Sequence, residues 1–91
     1  MRLDQFLKIS RLIVRRSLAQ EFCDTGLIDV NGLQAKSSKE IKVGDEIEIR
    51  RRNRITRVRV VEVPGTKQMP KKSAAGLYEM ISETEVDDDL V

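Results

Sequence analysis

Gly26 divides the chain into two stretches with different hydrophobic rhythms. Before it, apolar residues recur every three or four positions: Leu3, Phe6 and Leu7, then Leu18, Ala19, Phe22 and Cys23. That spacing places each set on one face of a helix. After Gly26 the repeat falls to two. Leu27, Ile28 and Val30 come first, then Ile47 and Ile49 within EIEI, then Val58 and Val60 between Arg57 and Arg59. Alternation of this kind marks strands with one buried face. Helices followed by strands imply an α+β fold, in which two N-terminal helices pack on a small, mainly antiparallel sheet.

The boundaries follow from local chemistry. The first helix takes in Leu3, Phe6 and Leu7 and is expected to end near Ser10, with Asp4 in the first turn where a carboxylate suits the helix dipole. Arg11 to Val14 forms a connection with Leu12 and Ile13 turned inward. A second helix is expected from Arg15 to Thr25, and Gly26 stands where a left-handed residue closes it. Asn31-Gly32 is a strong tight-turn dipeptide after the first strand. Ala35 to Lys39 is polar connection, and Glu46 to Ile49 the next strand. Arg50 to Arg54 makes a basic hairpin tip, and Ile55 to Val63 the return strand. Val58 and Val60 have the opposite parity to Val61 and Val63, which a bulge or a twist near Val60 and Val61 would reconcile.

Pro64-Gly65 is expected to end this unit, so that residues 1–63 form one domain. Residues 64–91 then hold a polar linker and a short helix capped by Ser73, with Ala74, Ala75, Leu77, Tyr78 and Ile81 on it. A flexible acidic tail, EVDDDLV, completes them. At 91 residues one domain is all the length allows, and 40% hydrophobic residues place it among globular chains.

One Cys and no His remove disulfide frameworks, zinc clusters and histidine-dependent catalysis from consideration. No metal and no cofactor are expected, and Cys23 is a small core residue. The amino end lacks the apolar run of a signal peptide, and no stretch nears the length of a membrane span. A cytoplasmic protein without membrane contact is expected. Residues 1–63 carry 14 Lys and Arg against 9 Asp and Glu, whereas residues 64–91 carry 3 against 6. A basic body with an acidic tail points to an anionic partner for the body.

The cations crowd the helix starts. Arg15 and Arg16 open the second helix, where the dipole disfavours positive charge by about 0.3–1 kcal/mol per residue unless an anion is bound. A phosphate would answer both the backbone N–H groups and the guanidinium forks. Solvent, or pairing with Asp4, Glu21 or Asp24, is the ordinary alternative. Arg2 and Arg11 lie where both can converge on the same face, with a surface salt bridge as the ordinary alternative. Lys8 on the first helix is ordinarily its wet face, and Lys36 and Lys39 flank the turn at Asn31 and Gly32, which themselves read as structural. A second cluster, Arg50 to Arg54 with Arg57 and Arg59, serves equally well to keep an exposed strand from pairing with another chain. With three aromatic residues, stacking on splayed bases is a poor prospect, and for a nucleic-acid partner recognition of shape and backbone would fit better.

Taken in order, RLDQFL (Arg2–Leu7), RRSLA (Arg15–Ala19), the strand and turn from Gly26 to Gly32, and GDEIEI (Gly44–Ile49) resemble the S4-type RNA-binding domain. The stand-alone length, RLDQFLKISRLIVRR and SAAGLYEMI are similar to the small S4 proteins of bacterial ribosome quality control. The resemblance implies a non-enzymatic factor on the large ribosomal subunit, contacting large-subunit rRNA and peptidyl-tRNA. An RqcH-like tailing factor would add alanines to the nascent chain beside it. Arg16, Arg2, Arg15, Arg11, Lys8, Lys36 and Lys39 are the expected RNA contacts, on a monomer. An S4 recycling factor of the heat-shock type, moving peptidyl-tRNA on free large subunits without tailing, is the neighbouring reading. A carboxylate enzyme using Asp4, Asp29 or Asp45, and an adaptor binding through Glu83 to Asp89, are the readings from other classes.

Overall fold

The structure, a computed structural model, describes residues 1–63 and 75–85. Helix α1 spans Leu3–Ile9 and α2 spans Arg16–Asp24. Strands β1 (Ile28–Val30), β2 (Leu33–Gln34), β3 (Glu46–Arg51), β4 (Arg54–Val60) and β5 (Tyr78–Glu85) follow, with a 3-10 turn at Ala75–Leu77 before β5. They form one antiparallel sheet in the order β2-β1-β3-β4-β5.

Register sorts the two faces. Val30 lies opposite Ile47, which lies opposite Val58, and Ile28 lies opposite Ile49. All of these are buried, together with Leu3, Phe6 and Leu7 of α1 and Ala19 and Cys23 of α2. The core is therefore the layer between the helices and one sheet face, as the period-two pattern requires. Leu18, expected on the apolar stripe of α2, stays exposed, and Phe22 is half-buried.

Both helices stop through a left-handed residue. Past α2, Gly26 has φ 77°, and the N–H groups of Gly26 and Leu27 donate to the carbonyls of Cys23 and Phe22 at 3.1 and 2.9 Å. This is the Schellman arrangement. Past α1 the same place is held by Arg11 at φ 67°, whose N–H donates to Lys8 at 3.1 Å. A side chain in that region costs about 1 kcal/mol that glycine would not. Asn31 and Gly32, at φ 54° and 83°, make the tight β1–β2 turn. The Asn31 amide also donates to Asp45 at 3.1 Å and accepts from the N–H of Glu46 at 3.0 Å, so its role is structural as expected.

Two expectations are corrected. Neither a bulge nor a twist is needed at Val60 and Val61: β4 ends at Val60, and Val61 lies beyond it, exposed, so its parity imposes nothing. The register shift falls instead between β4 and β5, where Arg57 faces Ser82 but Val58 faces Met80. The C-terminal helix is replaced by the 3-10 turn and β5. β4 offers an unpaired edge whose Arg54 and Arg59 meet Glu83 and Glu79 across the strands at 2.9 and 4.0 Å, and Leu77 is buried in the core. Backbone pairing and opposite charges outweigh the helical propensity of the Ala-rich approach. The sheet thus takes a strand from beyond residue 63. The linker, the Ser73 cap and the tail after Glu85 lie outside the described residues.

Candidate nucleic-acid interface

The site is organised by a carboxylate. Asp4, in the first turn of α1, is fully buried. Its Oδ2 accepts from Arg16 Nε at 3.2 Å and from Gln20 Nε2 at 2.9 Å. Arg2 reaches it with Nε 3.3 Å from Oδ1 and Nη2 3.4 Å from Oδ2. The N–H of Gln5 donates to Oδ1 at 2.8 Å. Burial alone would raise the pKa of this carboxyl, but the bonds from Gln20 and Arg16 and the charges of Arg16 and Arg2 outweigh it and hold the group below its ordinary value.

Arginines fourteen positions apart are thereby fixed on one anchor, with side chains 44% (Arg2) and 40% (Arg16) exposed. Arg16 spends only Nε on Asp4, which leaves both terminal amino groups for an external acceptor. Asp4 sets the guanidinium plane in advance, so a phosphate bound there would cost less ordering entropy. Lys8 shares a small hollow with Arg16, Gln5 and Ile9.

The loop after β2 completes this side. The N–H groups of Leu3 and Asp4 donate to the carbonyls of Lys39 and Ser37 at 2.8 and 3.1 Å, and Ile41 N–H donates to Met1 at 2.8 Å. Lys39 is thus held by its backbone against the start of α1, and the Lys36 carbonyl accepts from the Lys39 N–H at 3.0 Å. Glu40 takes the terminal ammonium at 2.9 Å, which lowers its pKa. Arg11 and Arg15 stand at the two ends of the α1–α2 connection, exposed, and neither joins the Asp4 cluster. α2 has no side-chain N-cap and no acidic residue in its first turn, so its leading N–H groups are open to an anion.

The second basic cluster is spent internally. Arg50 is bonded to Asp29 at 2.8 Å, Glu48 at 2.7 Å and the Gly26 carbonyl at 2.6 Å. Arg57 takes the other oxygen of Glu48 at 2.8 Å, and Arg59 lies 3.5 Å from Glu46. Arg51 donates to the Leu12 carbonyl at 2.8 Å, and burial lowers its pKa. Asp29 and Glu48 are held below their ordinary pKa, chiefly by the bonds from Arg50 and Arg57 respectively. By contrast, Lys8, Arg11, Arg15, Lys36 and Lys39 form no ion pair among the described residues.

The sequence offered Asp4 as a pairing partner for the arginines of α2, and Arg16 takes it. Sequence reasoning missed Gln20 and the hold of the same carboxylate on Arg2. The available signal was Arg16 and Gln20 one turn apart on α2, two long polar side chains on a shared face.

The model of the S4 domain family matches residues 1–47, more than half of the chain. The chain belongs to the S4 domain family. Among its S4 relatives, the RQC P-site tRNA stabilizing factor of Streptococcus pneumoniae (strain ATCC BAA-255 / R6) is 49% identical over 90 residues, covering 99% of this chain and 100% of the relative. The factor of that name from Bacillus subtilis (strain 168) is 47% identical over 83 residues, covering 91% and 94%. Heat Shock Protein 15 of Vibrio cholerae, solved as a trimer, superposes with a TM-score of 0.79 at 27% identity, over 90% of this chain and 82% of that one. The hypothetical protein HP1423 gives 0.78 at 34% identity, over 90% and 98%. The S4 match covers α1, α2, β1, β2 and the loop carrying Lys36 and Lys39, the part of the fold that holds every expected RNA contact.

Proposed function

We propose that this S4 protein is a cytoplasmic, non-enzymatic RNA-binding factor of ribosome-associated quality control. It binds the large ribosomal subunit that still carries peptidyl-tRNA, contacts rRNA and tRNA through Arg2, Arg16, Lys8, Arg11, Arg15, Lys36 and Lys39, and steadies the tRNA there. It acts as a monomer beside an RqcH-like factor that extends the chain with alanines. The observation that carries the reading is the pair Arg2 and Arg16, set by a buried carboxylate yet open outward, in a chain similar along its whole length to relatives named for P-site tRNA stabilisation. Guanidinium groups fixed in this way suit sugar-phosphate recognition.

The test is co-sedimentation with large subunits across a salt series. Arg2→Ala and Arg16→Ala are expected to lose binding and each to lower the slope of log affinity against log salt by about one. Binding as strong and as salt-sensitive as the wild type would overturn the reading. The likeness to Heat Shock Protein 15 favours a second one, recycling of peptidyl-tRNA without tailing. Gene deletion separates the two: tailing predicts that alanine tails on stalled chains disappear, and recycling that they persist.

A further inference from the structure

Leu33, the first residue of β2, is 74% exposed. It forms one wall of a hollow of about 280 Å³ whose other sides are Val30, Gln34, Ala35, Lys36, Ser38 and Lys39. Val30 and Ala35 are buried, which makes the floor aliphatic. Lys36, Ser38 and Lys39 are exposed on the rim, and their side chains form no hydrogen bond or ion pair among the described residues. The rim is not loose. Lys39 N–H closes a turn on the Lys36 carbonyl at 3.0 Å, and the Ser37 and Lys39 carbonyls receive the first N–H groups of α1. The hollow is thus built onto the helix start that carries Arg2 and Asp4, and continues that surface. The larger hollow on the opposite sheet face is lined by Asp29, Asn31, Gly32, Glu46, Glu48 and Arg57, and its one guanidinium is already paired with Glu48, so it offers a phosphate no open cation.

We propose that the hollow by Leu33 receives a single unstacked RNA nucleotide, its base lying flat against Leu33 and Ala35 and its phosphate held by Lys36, Lys39 and the Ser38 hydroxyl. This rests on the RNA-binding reading above and adds a base contact to it. An apolar floor with uncompensated cations at its lip matches the division within a nucleotide, whose ring faces are apolar and whose linkage is anionic. A volume near the lower end of ligand cavities suits one base. The chain is poor in aromatic side chains, so an aliphatic wall takes the place of a stacking ring.

The experiment places a diazirine-bearing leucine analogue at position 33, and in a second preparation at position 9, in the hollow shared by Lys8 and Arg16, with irradiation on purified large ribosomal subunits. Position 33 is expected to give a ribonuclease-sensitive adduct at one unpaired nucleotide. An adduct to a ribosomal protein would make the hollow a protein-docking site and overturn the proposal. So would silence at position 33 while position 9 labels RNA. Silence at both would overturn the RNA-binding reading, and this proposal with it. Leu33→Ala is expected to bind the subunits roughly five- to tenfold more weakly with an unchanged salt slope. Lys36→Ala and Lys39→Ala are each expected to reduce that slope by about one. Wild-type affinity in Leu33→Ala would overturn the base contact while leaving the arginine surface intact.

Discussion

Asp4→Asn separates charge from geometry. The substitution keeps the shape of the side chain but exchanges one acceptor oxygen for an amino group facing donors. The wild-type carboxylate accepts from Gln20, Arg16 and Arg2 at 2.9–3.4 Å, so at least one charged hydrogen bond is lost and one donor faces another. Breaking a buried pair by removing one partner costs about 3–5 kcal/mol. Here both arginines are partly exposed and can return to water, which brings the expected loss to about 2 kcal/mol, within the range for charged hydrogen bonds. For a domain of this size the melting temperature should fall by roughly 8–16 °C.

The acid side supplies an internal check. A carboxyl held below its ordinary 3.8 contributes stability that is present above that value and lost as pH falls through the lower folded value. The gap between wild type and Asp4→Asn should therefore be full at neutral pH and close at pH below 3.8. For RNA the two explanations differ in sign. Removing an anion makes the net charge of +2 one unit more positive, so simple attraction predicts tighter binding to large subunits. Loss of the anchor predicts weaker binding, by about tenfold, or ~1.4 kcal/mol. The assay is sedimentation at 10–20 °C, with circular dichroism confirming the fold. Equal or tighter binding by a folded Asp4→Asn protein would refute the claim that Asp4 positions Arg2 and Arg16.

Arg11→Gly relieves a left-handed arginine at φ 67°. Allowing for glycine's freedom in the unfolded chain, urea denaturation should show stability unchanged or raised by up to about 1 kcal/mol, while the salt slope of RNA binding falls by about one. Leu77→Ala removes a fully buried side chain ahead of β5 and should cost about 2–4 kcal/mol by denaturant titration; a negligible loss would show that β5 does not belong to the cooperative fold. Burial pushes the Cys23 thiol up to about 11, so a disulfide reagent at pH 8 should modify it only as fast as the protein opens, and rapid labelling of the native protein would contradict its place in the core.

The helices and the inner sheet were legible because each has one wet face and one dry one. Leu3, Phe6 and Leu7, or Ile47 and Ile49, leave a periodic trace when half their surroundings are core. β5 leaves none. From Glu79 to Glu85 both of its faces are exposed, so its residues obey no alternation, and what fixes it is a neighbour's open edge and that neighbour's arginines. Partners far apart in sequence cannot be read from spacing. The same holds for the candidate site. Cations crowded at two helix starts are conspicuous in one dimension. The carboxylate that binds Arg2 to Arg16 is visible only once α1 and α2 lie side by side.

The ion pairs on the outer sheet face bear on which way round the molecule can land. A small protein rich in arginine on every side would adhere to a polyanion in any orientation, or bridge two strands of it. With Arg50, Arg57 and Arg59 already matched to Asp29, Glu48 and Glu46, that face offers little to attract RNA. On the RNA-binding proposal, docking would then be confined to the opposite flank, giving the chain a front and a back without any added mass.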